Sequence, residues 1–184
     1  MHQLFIYEEQ QGRTPQFYVT DMAGNVQFVI TGKTNRIKDI VQIYTTTGRL
    51  LFVAKQRVLS PFSTFDLYDT QEKIGTLKKH PGLFSWRRPY YKVTPVNWKI
   101  TGDFKAERYE MRTADKKWLL DVQKALTARG RQFILVMNDP EHAAFYSLLA
   151  VLIEHFARSS ASESQFKRRQ NYDFGFLNFE RWRN

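Results

Sequence analysis

The sequence predicts a mainly β protein. Its fold is a closed, twelve-stranded antiparallel barrel of hairpins wrapped around one buried apolar helix near the C-terminus. Three observations carry this. Apolar-alternating runs recur in pairs around turn signals. A single helix signal follows the last run, and that helix is apolar on every face. Twelve strands also enclose more space than side chains alone can fill, because barrel diameter grows with strand number and eight strands already pack their own lumen.

The elements follow in order. Gln3–Tyr7 is an opening strand. Phe17–Val19 leads through Asp21-Met22-Ala23-Gly24-Asn25 into Val26–Ile30. Val41–Tyr44 leads through Thr45–Gly48 into Leu50–Val53, and Phe65–Tyr68 through Asp69–Glu72 into Ile74–Leu77. Tyr91–Val93 turns at Thr94-Pro95 into Val96–Ile100. Tyr109–Met111 turns at Thr113–Lys116 into Trp118–Val122, and Gln132–Met137 is the twelfth strand. Turns begin near Asp21, Thr46, Asp69, Thr94, Asp115 and Asp139, with Asp, Asn, Gly and Pro supplying the tight conformations. Val96, Trp98 and Ile100 are expected inward, against Asn97, Lys99 and Thr101 outward.

The last turn starts a helix. Asp139 is placed as N-cap, Pro140 at the first helical position and Glu141 in the first turn. Ala143–Ile153 is apolar all round, so it must be buried on every side or lie in a membrane. Eleven apolar residues fall short of the roughly 20 that a span needs, which favours a core helix over 140–158 and no transmembrane span. Residues 1–158 are thus expected to form the barrel with its axial helix, and 159–184 a basic, aromatic tail.

Composition narrows the function. Of 184 residues, 42% are hydrophobic and 25% charged, which places the chain with soluble globular proteins. It has no cysteine, which excludes disulfides, thiolate metal sites and cysteine nucleophiles. Met1-His2-Gln3-Leu4 is not a basic start followed by an apolar run, so a cytoplasmic location is expected, with peripheral membrane contact as its extension. The net charge of +10 is uneven: residues 71–140 hold 15 Lys/Arg against 7 Asp/Glu, a net of +8. Such a field favours anionic lipid surfaces, phosphorylated ligands, nucleic acid or acidic proteins, and it also serves plain solubility.

The chain resembles the LURP-one-related proteins of the tubby C-terminal-like and phospholipid scramblase group. The matching stretches are Leu59-Ser60-Pro61 with Thr64–Asp69, the pair Lys78-Lys79, and Thr101–Phe104 with Tyr109–Met111, followed by the apolar helix. The likeness covers roughly residues 3–158, and the order of the motifs along the hairpin train is its signal. The resemblance implies a twelve-stranded barrel around a central helix and no catalytic residues. Tubby domains bind phosphoinositides through surface basic residues, so a tendency toward such ligands is implied, without a residue-level site. The calcium-binding acidic segment and lipidated cysteines of the scramblases are missing here, so scrambling is not implied.

No chemistry-bearing constellation stands out. There is no Gly-x-Ser-x-Gly elbow, no His-Glu-x-x-His and no Gly-rich phosphate loop, and no cofactor is expected. Asp103 and Glu107 suit a strand corner, where Asp103 is expected to hydrogen-bond its own turn. The most suggestive segment runs from Lys78 to Tyr91. Its cations Lys78, Lys79, Arg87 and Arg88 are candidate anion ligands, and Phe84 and Trp86 candidate membrane contacts. Lys116 and Lys117 complete the candidate set. The same mixture suits stacking on single-stranded nucleic acid, or an ordinary core with outward arginines. Six aromatics and five Lys/Arg between Phe166 and Asn184 mark the tail as a segment that orders against the barrel, a second copy in a weak homodimer, or another partner. The expected function is a non-enzymatic binding module for anionic lipids or phosphorylated ligands. A nucleic-acid binder or a scaffold using its tail are the alternatives.

Overall fold

The computed structural model describes residues 1–11, 14–34, 39–82, 88–127 and 130–156. Twelve strands run in chain order as an antiparallel meander. They are β1 (His2–Gln11), β2 (Thr14–Thr20), β3 (Val26–Thr34), β4 (Asp39–Thr45), β5 (Leu50–Gln56) and β6 (Thr64–Tyr68), then β7 (Lys73–His80), β8 (Tyr90–Thr94), β9 (Trp98–Asp103), β10 (Arg108–Arg112), β11 (Trp118–Thr127) and β12 (Gly130–Met137). β1 pairs with both β2 and β12, which closes the barrel. Closure removes the free edges that would otherwise template aggregation.

The hairpin turns anticipated from Asp, Asn and Gly all fall at one end of this barrel, because alternate connections of a meander lie at opposite ends. Three of them are built alike. In Asp21–Asn25, Thr45–Arg49 and Thr113–Lys117 the first residue's N–H donates to the fifth residue's carbonyl and its own carbonyl accepts from the fourth N–H. The fourth residue is left-handed in each: Gly24, Gly48 and Lys116. A register shift sits beside each, between Val19 and Thr20, Ile43 and Tyr44, and Met111 and Arg112. A turn closed by a left-handed residue next to a bulge matches the right-handed twist of the strands.

One expectation at this end is corrected. Val96 does not face inward; it is half exposed in the turn between β8 and β9. Asn97 takes φ 55° to close that turn, so the alternation begins at Trp98.

The helix starts as the sequence indicates. The Asp139 carboxylate accepts from the Glu141 N–H at 2.9 Å, with Pro140 following it. A 3-10 turn (Pro140–His142) leads into α1 (Ala143–Val151), which continues as a π-helical segment (Leu152–Phe156). Tyr146, Leu148, Leu149, Ala150, Val151, Leu152 and Ile153 are all buried, around complete turns. They join the inward residues of the strands in one core. The helix therefore fills the lumen that twelve strands leave open. Ser147 buries its hydroxyl by donating to the Ala143 carbonyl at 2.8 Å. Among the described residues no helix is long and apolar enough to cross a membrane. The expected tail, 159–184, with its packing or homodimer contact, lies outside the described residues.

Candidate anion-binding surface

Along β7 to β10 the inward residues are Leu77, Tyr91, Val93, Ile100, Tyr109 and Met111. Strand alternation therefore turns Lys78, Lys92, Lys99 and Arg112 to the outer face. The register places Lys78 opposite Lys92, Lys92 opposite Lys99, and Lys99 opposite Arg112. Four cations thus stand side by side across four strands, a row of about 14 Å at ordinary strand spacing. Like charges directly opposite one another destabilise a sheet. Arg112 is relieved by Glu110, which accepts from its Nε at 2.9 Å and its Nη2 at 2.8 Å. Among the described residues, Lys78, Lys92 and Lys99 have no carboxylate ion pair.

The nearby carboxylates are engaged elsewhere. Asp66 takes Arg57 and Lys73, and Glu107 takes Lys124 at 2.9 Å. Asp103 accepts from the N–H groups of Lys105 and Ala106, both at 3.0 Å, which is the turn role expected of it.

Beside the row lies a surface pocket of about 740 Å³, lined by Phe62, His80, Arg88, Tyr90, Lys99 and Thr101 among others. The His80 and Tyr90 rings stack at 4.7 Å with 3° between planes, and the Lys99 ammonium lies 4.6 Å from the Tyr90 centroid. Burial, then the charges of Lys78 and Lys92, hold the His80 imidazole below its ordinary value. Every titratable group named in this lining is a cation, a histidine or a tyrosine. On the adjoining flank a pocket of about 880 Å³ is different, because Arg108 and Arg112 share it with Asp103, Glu110 and Asp121.

The six candidate cations divide. Lys78 stands in the row and is exposed, and Arg88 is exposed in the pocket wall. Lys79 shares the inward face of β7 with Leu77 and lies half-buried, its ammonium 5.9 Å from the Tyr91 centroid. Lys116 and Lys117 are exposed in the β10–β11 turn, at the other end of the barrel from Arg88, where the Glu141 N–H, then His142 and least of all Lys117 keep Asp139 ionised. Arg87, Phe84 and Trp86 lie outside the described residues. Sequence reasoning missed Lys92 and Lys99, and it gave His80 and Tyr90, inside the segment it singled out, no role of their own. Counting register outward from the turn at Thr94–Asn97 aligns Lys92 with Lys99, whereas the long β7–β8 connection allows no such count for Lys78.

Comparison with known proteins agrees with this architecture. A family model described as LURP-one-related matches residues 2–154. The chain is 18% identical to the uncharacterized protein YxjI of Bacillus subtilis (strain 168), over 90% of this chain and all of that one. A protein of Arabidopsis thaliana with a known X-ray structure has a similar fold, with TM-score 0.56 at 10% identity, covering 82% of this chain and 90% of that one.

Proposed function

The chain belongs to the LURP-one-related family, and we propose that its barrel is a non-enzymatic module that binds phosphate-bearing headgroups at anionic membrane surfaces, as a peripheral protein. The observation that carries this reading is the row Lys78–Lys92–Lys99, set beside a pocket whose named charged side chains, Arg88 and Lys99, are both basic. Three lysines set side by side on one face by backbone pairing can turn their ammonium groups to one anion. A bound phosphate would relieve their mutual repulsion, so the strain in the free protein becomes affinity in the complex. Tyr90 already stacks on His80 and carries the Lys99 ammonium, which favours phosphate over a nucleic-acid base as the occupant. Among the described residues of the pocket lining, no hydroxyl hydrogen-bonds to His80. Asp103 spends one oxygen on its own turn, and those backbone bonds, then more weakly the Arg88 charge, hold it ionised.

Flotation with phosphatidylserine-containing and pure phosphatidylcholine vesicles at physiological salt tests the reading. Recovery should follow the anionic lipid. Each basic residue near such a surface contributes about 1 kcal/mol, so replacing Lys78, Lys92 and Lys99 together by Gln should weaken binding about a hundredfold. Equal, negligible recovery with both vesicles would remove the proposal.

A further inference from the structure

The connection from β5 to β6, Arg57-Val58-Leu59-Ser60-Pro61-Phe62-Ser63, breaks the pattern of the other turns. The other described turns expose at most one large hydrophobic residue each, Met22 between β2 and β3 and Val96 between β8 and β9. This one presents Val58 at 54%, Leu59 at 96% and Phe62 at 40% exposure. Half of the six large hydrophobic residues exposed among the described residues fall in these seven positions.

The loop is held in shape. The Arg57 N–H donates to the Thr64 carbonyl at 2.9 Å, and the Lys79 N–H to the Ser63 carbonyl at 3.0 Å. The Thr64 hydroxyl donates to the Phe62 carbonyl at 2.9 Å and lies 2.8 Å from the Ser60 hydroxyl. Its apolar tip is therefore fixed in water rather than folded back. Cations stand on the β7 side of its base. Thr64, which ends the loop, stands opposite Lys78, and Phe62 shares a pocket with Arg88 and Lys99.

We propose that this loop is a membrane wedge: Val58, Leu59 and Phe62 enter the boundary between headgroups and acyl chains of an anionic bilayer, while Lys78 and Arg88 beside them hold lipid phosphates. The inference rests on the membrane reading above and adds the side of the barrel that docks and the residues that insert. Charge complementarity selects this occupant. An exposed apolar tip with cations along one side fits a surface that is apolar beneath an anionic layer, which is how interfacial anchors bind.

The full chain tests it directly, because it has no cysteine of its own. Leu59→Cys carries an environment-sensitive fluorophore, and Thr47→Cys, in an exposed turn at the opposite end, carries the same probe as control. On phosphatidylserine vesicles the probe at 59 should shift to the blue. It should be quenched by lipids brominated in the acyl chain, while the probe at 47 stays aqueous. Leu59→Asp should lower vesicle partitioning about tenfold or more, the scale set by burying one aliphatic side chain, with an unchanged melting temperature. If the chain floats with anionic vesicles but the probe at 59 stays in water, the wedge is overturned and the headgroup reading survives. If the chain does not float at all, both fall. A probe at 59 that is already shielded without vesicles would show the loop covered by protein, which also overturns the wedge.

Discussion

The guanidinium of Arg57 grips the Asp66 carboxylate from two nitrogens, with Nε 3.0 and 2.9 Å from the two oxygens and Nη2 2.8 Å from one of them. Lys73 Nζ reaches the same carboxylate at 2.7 Å, and the Thr76 hydroxyl donates to it at 3.1 Å. One acidic residue on β6 thus ties the root of the β5–β6 loop to β7. The hydrogen bond from Arg57 is the largest influence that holds Asp66 well below the usual carboxylate range. Asp66→Asn should cost about 1 kcal/mol in urea unfolding, since both cations are solvated and the net worth of such pairs is small. The acid limb has a definite sign. The unfolded carboxyl binds its proton near 3.8, above the folded one, so this contribution is complete above that pH and fades as pH falls below it. The Asn variant should lose less stability than the parent between neutral and strongly acid pH.

Lys116 occupies the left-handed position that Gly24 and Gly48 hold in the sister turns, at φ 66°. A side chain there meets steric resistance that glycine avoids. Lys116→Gly should therefore raise stability by about 0.5 kcal/mol, the strain relieved less the greater entropy of glycine in the unfolded chain. A lower urea midpoint for the variant would show that Lys116 makes a contact worth more than its strain.

Turns and helix were legible in the sequence because local chemistry sets them. Asp139-Pro140 reads as a cap without any tertiary knowledge, and a helix apolar on every face can only be enclosed. The cationic row was not legible in the same way. Lys78, Lys92 and Lys99 are far apart along the chain and become neighbours only through the register of β7, β8 and β9. Val96 shows how one residue misleads. An apolar residue inside an alternating run reads as core until the turn at Asn97 shifts the phase. Charge counting pooled Arg88 with Lys116 and Lys117, whereas the up-and-down path sends them to opposite ends. The apolar loop at Val58 and Leu59 gives no signal in the sequence for a simpler reason: its residue types are those of a core, and only their exposure sets them apart.

Leu149 tests the enclosed helix. It is 1% exposed at the centre of the lumen. Leu149→Ala should cost about 3 kcal/mol, the lost transfer energy plus the cavity left behind. Leu149→Asp would bury a charge with no partner and should abolish the cooperative thermal transition. A soluble Leu149→Asp protein with the parent's melting temperature would place the helix outside the barrel.

His80 offers the sharpest report on the basic surface. Lys78 on its own strand and Lys92 on the next face it, Tyr90 stacks on it, and Arg88 and Lys99 line the same pocket. Burial is the first cause of its lowered pKa and the two lysines the next. An unfolded imidazole takes its proton near 6.5, before the folded one does, so stability is complete above that pH and falls as the medium becomes more acid. Replacing Lys78 and Lys92 by Gln should raise the His80 pKa toward the ordinary value, followed by its ring proton shift in NMR titrations and assigned with His80→Gln. A bound anion acts in the same direction, because it offsets the lysine charges and favours imidazolium. Inorganic phosphate should therefore raise the His80 pKa in the parent and do so less in the double variant. Binding to anionic vesicles should tighten as the medium becomes more acid, through the proton that His80 gains. A His80 titration indifferent to phosphate and to both lysines would mean that the row and the pocket do not act on one ligand.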